Sequence, residues 1–483
     1  MLIRNCLALA LLCSVPIINA SEQPNIVFLF ADDLGYGDIG SFNPAVKHTP
    51  NIDSLAKSGV KFTSFYSASP VCSPSRAALL TGRYPIRQGI HEVFFPESWT
   101  GMPSNEITIA EVLRDKGYYT AMVGKWHLGH RQEFLPLQQG FSEYFGVPYS
   151  NDMAGLYYLE GNKASIATID QTLLTKTFTE RAVDIIKRQK SDTPFFLYLA
   201  YSMPHVPIFS SEQFHSKTNG AYGDVINELD WSVGRIRETL AAQGLEENTL
   251  LIFSSDNGGW TLMGDEGGDN GNLREGKGTT YEGGQRVPTI AYWPKGITQP
   301  REYSGIATMM DWLPTFAKLA GADIPDNVIL DGQDISPLLL ENELSTGRSF
   351  AYYSNGDLEA FRQGDWKVKF PYAKTPLKLN WILPGVIPNH GVQLFNLTDD
   401  PGEKTNLANE LPEKVKELTL LSETFESSLG HLPDRLDNGT EVDRGPYIRM
   451  GLKAAGRALI GLVLTIAAIV LLWKTRRRLF GVK

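Results

Sequence analysis

The sequence has few cysteines, and their positions limit what each can do. Two of the three lie within the first thirteen residues, in a stretch that resembles a cleavable leader. Cleavage after Ala20 would leave Cys72 as the last cysteine of the chain, which excludes an intrachain disulfide. A lone thiol is either an inert buried residue or a chemically active one. Pro74 and Arg76 follow at once in a polar segment, which favours the active alternative.

The sequence also lacks an excess of positive charge. Its 45 lysines and arginines are outnumbered by 54 aspartates and glutamates, so the formal net charge is −9. Nucleic acid is therefore not expected as a partner. A protein of this charge that acts on an anionic ligand needs local cations in its site. The 483 residues, 42% of them hydrophobic, suit one large globular domain and a smaller one.

Both ends of the chain carry apolar segments that predict export and membrane attachment. Residues 1–20 combine a positive charge, an apolar stretch and small residues before the cleavage point, as a secretory signal does. Residues 458–473 contain no charge, and basic residues follow. This pattern predicts a transmembrane helix at 457–473, a cytoplasmic tail at 474–483 and a folded protein on the periplasmic, extracellular or lumenal face. A buried C-terminal helix and a cleaved sorting signal remain alternatives.

Between these ends, apolar runs of strand length alternate with helical patterns. The clearest strands are at 25–30, 118–123, 194–201 and 248–253, and the clearest helices at 49–59, 107–116, 172–190 and 222–245. This alternation is typical of an α/β fold with a large, mainly parallel central sheet. A helix is also expected directly after Arg76.

The pattern of long alternating strands and helices ends near residue 347. From there to 433, short strands about Gly364 and one amphipathic helix predict a small α+β subdomain with an antiparallel sheet. The main domain, which would carry the active site, is expected at 21–346. Residues 434–456 are polar and are interpreted as a tether to the membrane helix.

Polar residues with chemical potential follow four of the predicted strands. They are an Asp-Asp pair, a Lys-x-His pair, a histidine and an Asp-Asn pair: Asp32, Asp33, Lys125, His127, His205, Asp256 and Asn257. Because the carboxyl ends of parallel strands meet at one edge of a sheet, we expect these side chains to form one site. Each of these features alone also has a purely structural interpretation: the Asp-Asp pair could cap a turn, and a single histidine at a strand end could be structural.

Four of these residues offer only oxygen donors: Asp32, Asp33, Asp256 and Asn257. Oxygen ligands favour Ca²⁺ or Mg²⁺ over Zn²⁺. Two adjacent carboxylates also repel each other and favour a cation between them. The sequence therefore predicts a site for a hard divalent ion, which could polarise an anionic ester.

The candidate cations for a sulfate or phosphate group are Arg76, Lys125 and Lys277. Lys277 lies in a Gly-rich polar segment at 264–284, and the glycines on either side of it allow close approach to a ligand. His127 and His205 are the candidates for proton transfer near neutral pH.

The segment Cys72-Ser-Pro-Ser-Arg76, followed by Leu80-Thr-Gly-Arg83, resembles the motif of the type I sulfatases. The likeness extends over about 24–433 through further segments that begin at Ala31, Gly124, Ser254 and Gly276. Segments 127–134 and 278–284 are most similar to the branch that contains arylsulfatase A and N-acetylgalactosamine-6-sulfatase. The resemblance implies an alkaline-phosphatase-like sandwich and a sulfuric ester hydrolase that acts on sulfated carbohydrates and on aryl sulfates.

By the same resemblance, a formylglycine-generating or other maturation enzyme oxidises Cys72 to formylglycine (3-oxoalanine). Ca²⁺, or alternatively Mg²⁺, would then be bound by Asp32, Asp33, Asp256, Asn257 and the modified Cys72. Arg76 and Lys125 would stabilise the hydrated aldehyde. The substrate would be contacted by Ser150, Lys125, His205 and Lys277.

The implied mechanism uses both hydroxyls of the hydrated aldehyde, a gem-diol. One hydroxyl attacks sulfur while His205, with Lys277, protonates the leaving alcohol. The second gives its proton to His127 and expels sulfate. An ordinary serine or cysteine lacks the second hydroxyl and would stall as a sulfate ester, which is the chemical reason for an unpaired Cys72.

Two other functions are compatible with the fold. A phosphate or phosphonate ester hydrolase of the same superfamily would use zinc-binding histidines and a Ser or Thr nucleophile, which these motifs do not supply. An inactive, membrane-tethered protein that binds sulfated glycans would keep the basic pocket without turnover. Substrate selectivity is expected in the loops at 94–103, 155–167 and 376–391.

Overall fold

The computed structural model describes residues 23–436, except 154, 166, 191, 217–218, 342–346 and 372–390. The predicted leader at 1–20, the membrane helix at 457–473, the tail at 474–483 and nearly all of the tether lie outside these residues. Within the described ranges, no helix is both long and apolar enough to cross a bilayer.

Sixteen strands form three sheets in the described part of the chain. They are β1 (Asn25–Ala31), β2 (Val60–Phe62), β3 (Phe65–Tyr66), β4 (Tyr119–Lys125), β5 (Glu143–Val147), β6 (Leu159–Glu160), β7 (Lys163–Ala164), β8 (Phe195–Ala200), β9 (Thr249–Ser255), β10 (Thr289–Tyr292), β11 (Arg301–Tyr303), β12 (Ala307–Thr308), β13 (Ser349–Ser354), β14 (Asp357–Gln363), β15 (Trp366–Lys369) and β16 (Gln393–Asn396).

Most of the α-helices pack on the two faces of the largest sheet, and the last one packs beside the four-stranded C-terminal sheet. Those described are α1 (Pro50–Ser58), α2 (Cys72–Thr81), α3 (Ile109–Asp115), α4 (Leu174–Arg188), α5 (Gly220–Ala242), α6 (Glu282–Gln285), α7 (Trp312–Ala320), α8 (Ser336–Leu340) and α9 (Pro412–Ser428). The predicted helices and strands in this part begin or end within a few residues of these bounds.

The main sheet has the order β11-β2-β10-β9-β1-β8-β4-β5-β6-β7 among the described strands. Its centre is parallel, since β1 pairs in parallel with β8 and β9, and β4 with β8 and β5. β10 runs antiparallel to β9, and β6 to β5. The predicted α/β fold with a mainly parallel sheet is therefore confirmed.

The central strand β1 explains why its sequence is apolar throughout. All seven of its residues are buried. Ile26, Phe28 and Phe30 pack on one face with residues of α2, α3 and α7, while Val27 and Leu29 pack on the other with residues of α1, α4 and α5. A strand with helices on both faces has no polar side, so its residues do not alternate.

Three local predictions need correction. The helix expected after Arg76 begins at Cys72, because Val71 is still extended (φ −143°, ψ 157°) and Pro74 fits the first helical turn, where no N–H donor is needed. The sequence of residues 60–66 predicts a single strand, but this segment divides into β2 and β3, which pair in different sheets. The sequence also predicts that Thr49, directly before Pro50, caps α1; instead its hydroxyl accepts a hydrogen bond from the Gly40 amide at 2.9 Å.

A four-stranded antiparallel sheet, β13-β14-β15-β16, forms the predicted C-terminal α+β part, with α9 beside it. A buried ion network joins this sheet to the main domain. The Glu282 carboxylate of α6 accepts from the Lys367 ammonium at 3.0 Å, and Lys367 also lies 2.8 Å from the Glu403 carboxylate. Burial would raise the pKa of Glu282, but Lys367 and neighbouring arginines lower it to about 2.

Candidate active site

The predicted site residues lie together at the carboxyl edge of the main sheet. Asp32 and Asp33 follow β1, and Asp256 and Asn257 follow β9, its neighbour. Lys125 is the last residue of β4, whereas the strand was predicted to end two residues earlier, at Val123. The structure thus brings together side chains that are more than two hundred residues apart in the sequence, because their strands are parallel neighbours.

Cys72 is the first residue of α2 and faces the carboxylates. Its sulfur lies 3.6 Å from Asp32 Oδ1 and 4.0 Å from Asp33 Oδ1. The Lys277 ammonium lies 3.6 Å from the same sulfur. Burial raises the pKa of the Cys72 thiol well above its ordinary value, although Lys125 and Lys277 act in the opposite direction. The unmodified thiol is therefore neutral near pH 7 and a poor nucleophile.

The two strand ends are held together through Asp33. Its backbone is left-handed (φ 64°), its amide donates to Asp256 Oδ1 at 3.1 Å, and its Oδ1 accepts from Asn257 Nδ2 at 2.8 Å. The other amide atom, Asn257 Oδ1, is buried and has no hydrogen-bond partner. Donor atoms of Asp32, Asp33, Cys72 and Asp256 lie within 4.8 Å of one another.

Arg76 and Lys125 hold the carboxylates from the other side. The Arg76 guanidinium donates to Asp256 Oδ2 at 2.8 and 3.0 Å and to the Lys125 carbonyl oxygen at 3.0 Å. The Lys125 ammonium lies 2.6 Å from both Asp32 Oδ2 and Ser150 Oγ. Burial alone would raise the pKa of Asp32, but the cations around it, Lys125 first, lower it. Asp32 is therefore ionised.

Lys277 is placed by the glycines on either side of it. Its ammonium donates to Asp33 Oδ2 at 2.7 Å. A Cβ atom on Gly276 would lie 2.2 Å from the Gly259 carbonyl oxygen, and Gly278 has a φ of 82°. Both positions therefore require glycine, which explains the Gly-Lys-Gly sequence.

The two histidines present different nitrogen atoms to the site. His127 Nε2 donates to the Phe94 carbonyl oxygen at 3.0 Å, which leaves its buried Nδ1 unprotonated and without a partner. Burial lowers the pKa of His127 well below its ordinary value, as do Lys125 and Arg76. His205 Nδ1 donates to the Val206 carbonyl oxygen at 2.6 Å, so its Nε2 faces Asp33 Oδ2 at 3.5 Å.

A small cavity opens above Cys72, and we call it the Cys72 cavity. Its lining residues are Val71, Cys72, Val93, Phe95, His127, Ser150, Asp152, Met153, His205, Trp260 and Lys277. Ser150, a predicted substrate contact, thus lies beside the thiol and the two histidines. The chemistry that this arrangement permits is attack by the side chain at position 72 on an anionic ester held by buried cations.

Several lining residues were not predicted from the sequence. Trp260 lies under the Lys277 ammonium, 4.5 Å from its ring centroid, and 5.7 Å from the His205 ring. Its position directly after the Ser254 to Gly259 segment was a signal that could have identified it. Asp152 lies two residues after Ser150 and could have been found in the same way. Phe95 lies in the predicted selectivity loop at 94–103, whereas no sequence pattern marked Val93.

Comparison with known proteins places the chain in a family. The chain matches the family model described as Sulfatase over residues 24–322 and the model described as the C-terminal region of aryl-sulfatase over residues 345–450. Human arylsulfatase A is 38% identical over 467 residues, covering 87% of this chain and 92% of that protein. Human N-acetylgalactosamine-6-sulfatase is 39% identical over 379 residues, covering 73% and 72%.

Solved structures agree with this assignment. The PsFucS1 sulfatase from Pseudoalteromonas sp. is 29% identical, with a TM-score of 0.77 over 86% of this chain and 92% of that one. The Ps i-CgsB protein in complex with k-i-k-neocarrahexaose is 29% identical, with a TM-score of 0.75 over 89% and 98%. The fold is that of the alkaline-phosphatase-like hydrolases. Within that class the chain belongs to the sulfatase family, and it is a sulfuric ester hydrolase.

The buried neutral His127 predicts how stability depends on pH. The unfolded chain takes up a proton at this residue below pH about 6.5, whereas the folded protein does not until its lower pKa is reached. Stability should therefore fall as the pH drops below about 6.5, by up to about 1.4 kcal/mol per pH unit from this residue. Thermal unfolding of the wild type and of His127→Gln between pH 5 and 7.5 measures the difference. Parallel curves for the two proteins would contradict a neutral His127.

Proposed function

We propose that the protein releases inorganic sulfate from sulfated carbohydrates, with a formylglycine made from Cys72 and a bound Ca²⁺ ion. The observation that supports this most strongly is the surroundings of Cys72. Three buried carboxylates, two buried cations and the nearly buried Lys277 ammonium converge on one thiol that is itself 1% exposed.

The thiol is an unsuitable nucleophile as it stands. It is uncharged because of burial, and two carboxylates face it, so loss of its proton would place a third negative charge beside them. Once formed, an aldehyde at position 72 supplies a hydrate with one hydroxyl to attack sulfur and another to release sulfate. Because Cys72 is inaccessible in the folded protein, the maturation enzyme that makes the aldehyde must act before folding is complete.

The residues present fit a Ca²⁺ ion. Asp32, Asp33 and Asp256 supply carboxylate oxygens, and Asn257 Oδ1 is a buried oxygen that no protein donor satisfies. Oxygen ligands of this number suit Ca²⁺, whereas Mg²⁺ would demand stricter octahedral geometry. When bound, the ion would polarise the sulfate group and stabilise negative charge that develops on its oxygens.

The chain's own side chains account for the remaining steps. Lys125, Lys277 and Ser150 surround the place where the sulfate group would lie, and Arg76 neutralises Asp256 behind it. His205 holds one proton on Nδ1 for the Val206 carbonyl oxygen, so Nε2 is the nitrogen that can protonate the leaving alcohol. His127 has an unprotonated, unpaired Nδ1 that can accept the proton when sulfate is expelled.

A sulfated glycan is the substrate class that the relatives favour. One similar protein is named for the 6-sulfate of N-acetylgalactosamine, and one solved neighbour holds a neocarrahexaose. Another neighbour belongs to a study of glycosaminoglycan metabolism. We extend this class to the present chain, and small aryl sulfates should also be hydrolysed because only their sulfate group has to enter the Cys72 cavity.

Replacing Cys72 tests the nucleophile. Cys72→Ala should lower sulfate release by at least about 10³-fold, because the attacking group is lost. Cys72→Ser should accept one sulfate group and keep it, because a serine has no second hydroxyl to expel it. Sulfate release by ion chromatography, with intact-protein mass for the retained sulfate, distinguishes the two variants. Turnover by Cys72→Ala near the wild-type rate would refute the proposal.

Calcium should stabilise the fold. At a free Ca²⁺ concentration about 100 times its Kd, the free energy of unfolding should rise by about 2.7 kcal/mol. Thermal unfolding after dialysis against a chelator, and again after Ca²⁺ is restored, measures this. Asn257→Ala should show a smaller gain, whereas Asn43→Ala, a change in the loop between β1 and α1, should gain as much as the wild type. A melting temperature that responds to neither treatment would rule out the ion.

Export through residues 1–20 and attachment through 457–473 complete the proposal. The described domain would then lie on the exported side of the membrane, with the basic residues at 474–483 on the cytoplasmic side. A chain truncated after residue 456 should be released as active, soluble enzyme on cell fractionation. Retention of the truncated chain in the membrane fraction would show that the anchor lies elsewhere.

A further inference from the structure

The Cys72 cavity is too small to hold a whole glycan. Its volume is about 70 Å³, well below the roughly 300–1,000 Å³ of small-ligand sites. That space suits a sulfate group and little else. The rest of a carbohydrate substrate must therefore lie against the protein outside this cavity.

A second, larger cavity adjoins it, and we call it the Tyr157 cavity. It has a volume of about 300 Å³ and is lined by Pro96, His130, Pro148, Tyr149, Met153, Gly155, Leu156 and Tyr157. Met153 lines both cavities. The chain also passes from one lining to the other between Phe95 and Pro96 and between Tyr149 and Ser150. The volume is at the lower end of the range for small-ligand sites, roughly 300–1,000 Å³.

Tyr149 forms the wall between the two cavities. Its ring centroid is 5.8 Å from that of His127 on one side and 5.6 Å from that of His130 on the other. Its hydroxyl lies 2.6 Å from His130 Nδ1, and the side chain is 3% exposed. The Tyr149 side chain is therefore held in place, and Met153, which lines both cavities, is the point at which a bound substrate would extend from one cavity to the other.

The lining of the Tyr157 cavity indicates what it would bind. Prolines, a leucine and a half-buried tyrosine offer flat apolar surface, and the polar groups are few. Such surfaces pack against the C–H faces of sugar rings, while the edges of the ring need only a few hydrogen-bonding partners. Among the described lining residues the one ionisable nitrogen base is His130, whose pKa is lowered by burial and by Arg131. The described part of the lining thus holds no fixed cation, which disfavours a second sulfate there.

We infer that the Tyr157 cavity is a subsite for an uncharged sugar ring adjacent to the sulfated one. The inference rests on the proposed function, because it assumes that the substrate is a sulfated glycan. It makes the enzyme one that prefers an oligosaccharide over a sulfated monosaccharide. It also assigns selectivity to two of the loops in which it was expected, 94–103 and 155–167, since Pro96, Gly155 and Tyr157 line the cavity.

Two probes and three variants test this subsite. The probes are N-acetylgalactosamine 6-sulfate and a trisaccharide that carries the same sulfated unit at one end and neutral sugars elsewhere. For Tyr157→Ala, the ratio of kcat/KM for the trisaccharide to kcat/KM for the monosaccharide should fall by about 3-fold to 10-fold, mostly through KM. Tyr157→Phe, which keeps the ring, should retain most of the ratio. Leu420→Ala, at a residue of α9 that is 63% exposed, should leave it unchanged.

The outcomes separate the subsite from the proposed function. An unchanged ratio for Tyr157→Ala would overturn the subsite, and so would an equal loss on both probes, because a general structural defect lowers both. Thermal unfolding of the variant checks that it folds. If the wild type releases sulfate from aryl sulfates but from neither sugar, the glycan assignment and the subsite both fail. If it releases sulfate from no ester, the proposed mechanism fails as well.

Discussion

The site depends on the compensation of three buried carboxylates that would otherwise repel one another. Asp32, Asp33 and Asp256 lie at the ends of two adjacent strands with almost no solvent to screen them. Each is paired with a cation from a different part of the chain: Lys125 from β4, Lys277 from the Gly-rich segment and Arg76 from α2. An unpaired buried charge costs several kcal/mol, so the strand order and the start of α2 are constrained together. Cys72 is held at the point where these pairs converge.

A second buried ion network connects the C-terminal sheet to the segment that carries Lys277. Glu282 lies five residues after Lys277, and it is bound by Lys367 from β15 and by the hydroxyls of Tyr66 and Tyr352, at 2.6 and 2.8 Å. Its backbone amide donates to Glu403 at 2.7 Å. The segment that carries Lys277 is therefore bonded to the small sheet, so the C-terminal region helps to hold Lys277 in the site.

The sequence was sufficient for the features that depend on local pattern. Apolar runs located β1, β4, β8 and β9. Because parallel strands end at the same edge of a sheet, the sequence also predicted that Asp32, Lys125 and Asp256 lie together. It was insufficient wherever long-range packing decides. The helix α2 starts at Cys72 because Val71 has an extended backbone, which the sequence did not predict. The pairing of β16 with β15 was also not predicted, because no hydrophobic periodicity in the segment between them indicates it. The tautomer of His127, set by the Phe94 carbonyl oxygen, and the Tyr157 cavity arise only from tertiary contacts.

The central claim is that Cys72 does not remain a cysteine in the working enzyme. Its buried, uncharged thiol faces two carboxylates and has no disulfide partner among the described residues. The most direct measurement is mass spectrometry of the peptide that contains position 72, taken from protein whose sulfate-releasing activity has been measured. The account predicts an aldehyde that reacts with a hydrazide reagent, in an amount that rises with specific activity. An intact thiol at position 72 in fully active protein would contradict it.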